Sequence, residues 1–222
     1  MSQNKIITLD NLSMQEFDSE ADLIPLLTPE DEEEMANEEL PSSLPILPLR
    51  NMVLFPGVVI PITAGRDKSI KLINDANAAG KIIGVVAQKN EEDEDPTKNE
   101  IHKIGTVAKI LRVLKMPDGN VTVILQGKKR FEIDTVITEN PYIRAEVKEV
   151  SEKRPGKHDT EFVAIVDSIK ELAIQIIKES PNIPSEATFA IKNIESQSFL
   201  INFVTSNMNL KNKEKQDLLA VN

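Results

Sequence analysis

From Pro41 to Val150 the apolar residues run mostly in short segments of strand character, and from Phe162 onward they recur at intervals of three and four. A spacing of two marks a half-buried strand, whereas three-and-four spacing marks one face of a helix. A change of this kind late in the chain predicts an α+β fold, a β-rich unit followed by helices.

Within the β-rich part, Leu44-Pro45-Ile46-Leu47-Pro48-Leu49 is expected to be an edge strand, because its two prolines cannot donate to a ladder. Val53 to Gly57 turns the chain, and Val58 to Thr63 supplies a second strand. Residues Asp67 to Asn77 take helical spacing, with Asp67 placed to cap the start and Gly80 to end it. Lys81 to Ala87 reads as a strand buried on both faces, and the acidic run Glu91 to Asp95 as a solvated connector. That run lacks the spaced ligands and central glycine of a calcium loop. Ile104 to Met116 and Val121 to Leu125 flank Pro117-Asp118-Gly119-Asn120, the strongest hairpin signal in the sequence. Phe131 to Ile137 and Tyr142 to Val150 complete about six strands in a barrel-like or sandwich sheet, with one helix against it.

After a polar linker, Phe162, Ile165, Val166, Ile169, Leu172, Ala173, Ile176 and Ile177 predict a helix starting near Asp159 or Thr160 and stopping before Pro181. Shorter helices are expected behind Ser185 and behind Ser196 or Ser198, and another from Asn212 burying Leu218 and Leu219. These short helices need tertiary packing, so residues 158–222 are expected to form an α-bundle. The final pattern is still open at Ala220-Val221-Asn222, as in a cut chain or a natural end that frays.

Charge divides the chain at a different place. Residues 1–42 hold twelve acidic groups against one lysine, while the other 180 residues hold 25 basic and 24 acidic groups. An acidic stretch so poor in aromatics is expected to be a disordered tail, interrupted by the apolar islands Ile6 to Leu9 and Leu23 to Leu27. The expected organisation is therefore a tail over 1–42, a β-rich domain over 43–151 and a helical subdomain over 158–222.

The chain has no cysteine, which excludes disulfides, a thiolate nucleophile and cysteine-type zinc sites and suits a reducing cytoplasm. No glycine-rich phosphate loop occurs, and His102 and His158 lack helical spacing for a shared metal. Ser69 with Lys71, and Ser168 with Lys170, sit two apart on expected helices, so their side chains diverge. Lys128-Lys129-Arg130 is the one basic triplet of the body, too little charge and too few aromatics for a nucleic-acid reader. Neither a secretory signal nor a membrane span is apparent.

The run Leu44-Pro45-Ile46-Leu47-Pro48-Leu49-Arg50-Asn51-Met52-Val53-Leu54-Phe55-Pro56-Gly57, continued by Pro61 to Ile70, resembles the opening of the N-terminal domain of bacterial ATP-dependent Lon proteases, also called endopeptidase La. Gly105 to Ile110, Pro117-Asp118-Gly119, Gly127 to Phe131 and Met208 to Leu219 continue the resemblance in order. Ala64 replaces a larger aliphatic residue, and the acidic tail is absent from many family members. The resemblance implies a PUA-like β domain and a helical bundle that bind unfolded or misfolded protein substrates and support hexamer assembly. ATP, Mg²⁺ and the serine–lysine catalytic residues would belong to modules beyond Asn222, so no catalytic or metal residue is assigned here. Substrate contact is expected at Met52, Leu54, Phe55, Val58 and Ile60 around the Pro56-Gly57 turn, the competing expectation being that they are core. A free-standing adaptor of the same type and an RNA-binding module are the alternatives.

Overall fold

The computed structural model describes residues 27–151, 159–181, 183 and 186–221. In chain order the elements are α1 (Pro29–Asn37), β1 (Ser43–Leu49), β2 (Val59–Ala64), α2 (Asp67–Ala79), β3 (Ile82–Ala87), β4 (Ile104–Lys115), β5 (Val121–Thr138), β6 (Arg144–Glu149), α3 (Thr160–Glu179), α4 (Glu186–Asn193), α5 (Gln197–Asn207) and α6 (Asn212–Ala220). Strand order is β2-β5-β4-β3-β1-β6, and a further pairing of β5 with β6 closes five of the strands into a ring. Closure is possible because β5 is 18 residues long. Its first half pairs with β2 through Val121–Gln126, and its second half pairs with β6 from Phe131 to Thr138. Full closure leaves the ring without an unpaired edge.

β1 is therefore an interior strand, parallel to β3 and antiparallel to β6, and the edge assignment expected from its prolines is corrected. Successive amides of a strand point to opposite neighbours. The N–H of Ile46 bonds the carbonyl of Ile143 on the β6 side, so residue 48 faces that side too, past the point where the β6 ladder ends at Pro45. Pro45 faces β3 one residue before the β3 ladder begins at Ile46. Each proline thus falls where no donor is wanted.

Alternation along β1 divides two cores. Leu44 and Ile46 point into the ring with Val86, Val107 and Phe131, while Leu47 and Leu49 join a larger cluster outside it. Phe131 is fully buried, and Gly84 and Gly105 make room for its ring: a Cβ on either would come within 2.8 Å and 3.1 Å of Cζ respectively. The outer cluster runs without a break from Leu27 and Met35 through β2, α2 and the outer sheet face to Val166, Ile191, Phe199, Leu200 and Leu219. The helices pack on the barrel as well as on one another. Arg130 of β5, 8% exposed, donates from Nη1 to the carbonyls of Leu219 and Val221, holding the end of α6 against the sheet. Gln216 donates to the carbonyl of Ile104 at 2.9 Å.

Several local expectations change. The segments 121–125 and 131–137 are one continuous strand. The N-cap of α2 is Arg66, without a side-chain cap bond, and Asp67 is the first helical residue. Leu218 is 46% exposed while Leu219 is buried. Of the expected acidic tail, residues 1–26 lie outside the described part, but 29–37 form α1. Its start is fixed by a capping box in which the Asp31 N–H donates to Thr28 Oγ1 at 3.2 Å and the Thr28 N–H to Asp31 Oδ2 at 3.0 Å. Leu27 and Met35 secure it in the outer cluster. The low net hydropathy hid Met35, while Leu27 closes the apolar island of residues 23–27 just before the N-cap.

Candidate functional site

The turn that joins β1 to β2 is stapled to the sheet. Thr106 Oγ1 donates to the Leu54 carbonyl at 2.6 Å, the Gly57 N–H to the Gly127 carbonyl at 3.0 Å, and the Gly127 N–H to the Val58 carbonyl at 2.9 Å. Gly127 permits this approach, since a Cβ there would lie 2.3 Å from the Phe55 carbonyl oxygen. Those bonds turn Leu54, Phe55 and Val58 inward to 2%, 3% and 5% exposure, so these three belong to the core and do not face a partner. Met52 and Ile60 are half-buried at its margin.

The serine–lysine combinations Ser69 with Lys71 and Ser168 with Lys170 diverge, as their spacing predicts. Ser168 Oγ donates to the Ala164 carbonyl, and the Lys170 ammonium to the Ile194 carbonyl at 2.9 Å, tying α3 to the end of α4. Ser69 is buried on α2, and Lys71 pairs with Asp75 at 3.4 Å. His102 lies in the β3–β4 connection, where burial and then the nearby Lys89 charge push its pKa below the usual value. His158 lies outside the described residues. Asp95 pairs with Lys68 at 2.6 Å, and the Asp93 carbonyl accepts from Gln88 at 2.9 Å, so the acidic run is a tethered connector.

The largest uncovered apolar feature is on α3. Its 20 residues carry apolar side chains over an arc of roughly 200° at 3.6 residues per turn. Phe162, Val166, Ala173, Ile174 and Ile177 use part of that arc to meet the outer cluster. The remainder, Ile165, Leu172 and Ile176 with half-buried Ile169 between them, is left as a stripe at four-three-four spacing. Ile165, Leu172 and Ile176 are 53%, 58% and 59% exposed. Phe189 on α4, which packs against α3, is 71% exposed. The signal is present in the sequence as an apolar arc wider than one contact face needs, but periodicity alone does not show which part of the arc is covered.

A second feature is the cleft where α1 meets the barrel and α5. It encloses about 200 Å³ and is lined by Glu32, Met35, Pro56, Gly57, Lys128 and Phe199 among others. Each cation of the basic triplet is engaged here by the chain itself: Lys128 with Glu38 at 3.0 Å, Lys129 with Glu149 at 3.2 Å, and Arg130 with the α6 carbonyls. Lys128 and Lys129 side chains are only 10% and 15% exposed. Ser196, the N-cap of α5, donates from Oγ to the Glu32 carboxylate. The Asp31 carboxyl is held below the usual range by the Thr28 backbone and hydroxyl donors.

A closed strand ring packed against helices makes the chain a mixed α/β module. The N-terminal domain of a Mycobacterium avium complex Lon protease superposes with a TM-score of 0.65 over 81% of this chain and 90% of that one, at 22% identity, a likeness of fold. The chain belongs to the family of ATP-dependent protease La (LON) substrate-binding domains, whose model matches residues 43–222. It is 82% identical over its whole length to the Lon protease of Flavobacterium johnsoniae and 51% identical over 89% of its length to that of Cytophaga hutchinsonii. It spans 27% and 24% of those two proteins, about a quarter of each.

Proposed function

We propose that this chain is the substrate-recognition and assembly end of an ATP-dependent serine protease that degrades misfolded and short-lived regulatory proteins in the cytoplasm, working as a hexamer. The described residues offer no phosphate-binding glycine loop, and no three His, Asp or Glu side chains among them converge to hold a metal ion. In this reading ATP and Mg²⁺ belong to modules of the parent protease outside this chain. No described helix is long and apolar enough to cross a membrane.

The observation that carries the reading is the stripe of Ile165, Ile169, Leu172 and Ile176 on α3 in a member of a substrate-binding family. Unfolded chains differ from folded ones mainly in displaying aliphatic and aromatic side chains, and an uncharged aliphatic stripe rewards that display without requiring a sequence. Burying one such side chain is worth about 1.5–3 kcal/mol, so removing two contacts weakens binding more than tenfold.

The test is L172K/I176K in the full chain. Both positions face solvent, so the melting temperature is expected to stay within about 2 °C of the parent. Binding of reduced, carboxymethylated α-lactalbumin, a permanently unfolded protein, should fall at least tenfold. Unaltered binding by a folded variant would remove α3 from the site.

A further inference from the structure

The cleft beneath α1 already holds a ligand, supplied by the chain itself. The α1 segment presents two apolar anchors, Leu27 just before the N-cap and Met35 within the helix, at 6% and 7% exposure, with Glu32 turned toward Ser196 and the C-cap Glu38 toward Lys128. Its other carboxylates, Glu30, Asp31, Glu33 and Glu34, are exposed, Asp31 closing the capping box. The receiving surface is built by other elements: β5 supplies Lys128, the stapled turn supplies Pro56 and Gly57, and the first turn of α5 supplies Phe199. The fit is incomplete, because the 200 Å³ cleft remains between helix and barrel. A short segment seated by two anchors and two carboxylates over an unfilled cleft is a replaceable occupant.

We infer that the groove between β5 and α5 is a peptide-binding site for acidic segments carrying two aliphatic or thioether anchors eight residues apart, and that the α1 segment fills it in cis and competes with such segments on protein substrates. The inference rests on the reading that the chain binds protein substrates, but it names a different surface from the α3 stripe. Charge complementarity selects the occupant: Lys128 and the Ser196 hydroxyl each answer one carboxylate, and the space around Gly57 and Phe199 answers the anchors.

Because the chain has no cysteine, a pair introduced at Ala36 and Asn202, both on the cleft wall, can be bridged by a short bis-maleimide to lock α1 in place. L27S/M35S releases it. T28A/D31A provides a second release, altering only the exposed capping box if the first variant folds poorly. The probe is a dye-labelled peptide of residues 27–39, followed by fluorescence anisotropy on the full chain. Released forms should bind it at least tenfold more tightly than the locked form, K128E should cancel that gain, and a peptide with serine at both anchors should not bind. Equal binding by locked and released forms would overturn the site. Carboxymethylated lactalbumin separates the two readings. Binding to the locked form that depends on Leu172 and Ile176 supports the α3 stripe alone, whereas the peptide result decides the groove by itself.

Discussion

Replacing Gly57 with alanine tests the joint between barrel and helices. Gly57 has φ of +79°, in the left-handed region, where a side chain costs about 1–2 kcal/mol. A Cβ there would lie 2.7 Å from Cδ2 of Phe199 and 3.3 Å from Cδ2 of Leu27. Carbon contacts settle at about 3.5–4.0 Å, so Phe199, which is 2% exposed and walled in, must move by nearly 1 Å. Overpacking of this kind costs about 1–3 kcal/mol, giving a total of about 2–5 kcal/mol for G57A. F199A alone should cost about 3–5 kcal/mol through the lost burial and the cavity it leaves. In the double variant the strain persists and the clash does not, so the pair should fall short of additivity by about 1–3 kcal/mol. Urea unfolding read by circular dichroism provides all four corners of the cycle, with the midpoint shifting at constant m. Additive losses, or a G57A cost below about 0.5 kcal/mol, would refute the packing of α5 on this turn.

Arg130→Met removes the donor to the Leu219 and Val221 carbonyls and should destabilise the chain by about 2–4 kcal/mol, with amide exchange accelerating across 212–220. Arg130→Lys should recover less than half, since an ammonium lacks the planar fork, and unchanged exchange in α6 would contradict the docking. His102, its pKa lowered by burial and then by Lys89, binds protons less readily folded than unfolded. Its stabilising contribution is full above the unfolded value near 6.5 and is lost as pH falls through that value toward the folded one. Lowering the pH from 7.5 to 5.5 should therefore depress the melting temperature more in the parent than in His102→Gln, and equal depression would remove His102 as the cause.

Local chemistry was the legible part. Asp118-Gly119 announced the hairpin, where Gly119 takes φ of +87°, and Asp159 and Pro181 bracketed α3 correctly. What escaped was decided by partners distant in sequence. Gly127-Lys128-Lys129-Arg130 looks like an interruption between two strands, yet its polar side chains find Glu38, Glu149 and the α6 carbonyls, so β5 passes through unbroken. The prolines of β1 suggest an edge because a sequence cannot show where each neighbouring ladder stops. The turn around Pro56-Gly57 was a reasonable surface candidate by composition, but the backbone bonds to β4 and β5 that bury Leu54, Phe55 and Val58 depend on Thr106 and Gly127. Segments such as α1 are missed for the opposite reason: averages over many carboxylates conceal a well-placed apolar group such as Met35.

The interior position of β1 also dictates an order of events as the chain leaves the ribosome. β1 emerges first among the strands, but its partner β3 follows only after β2 and α2, and Arg144 of β6 is 101 residues behind Ser43. Until β3 is made this Leu- and Ile-rich strand is an unpaired template, and its other side stays open until β6 follows, a state in which nascent chains are exposed to mispairing. Closing the ring last requires a long loop to be drawn in, which places this barrel among the slower-folding topologies. The two prolines then acquire a second use: until β6 arrives they deny a stray strand a regular ladder on either side of β1.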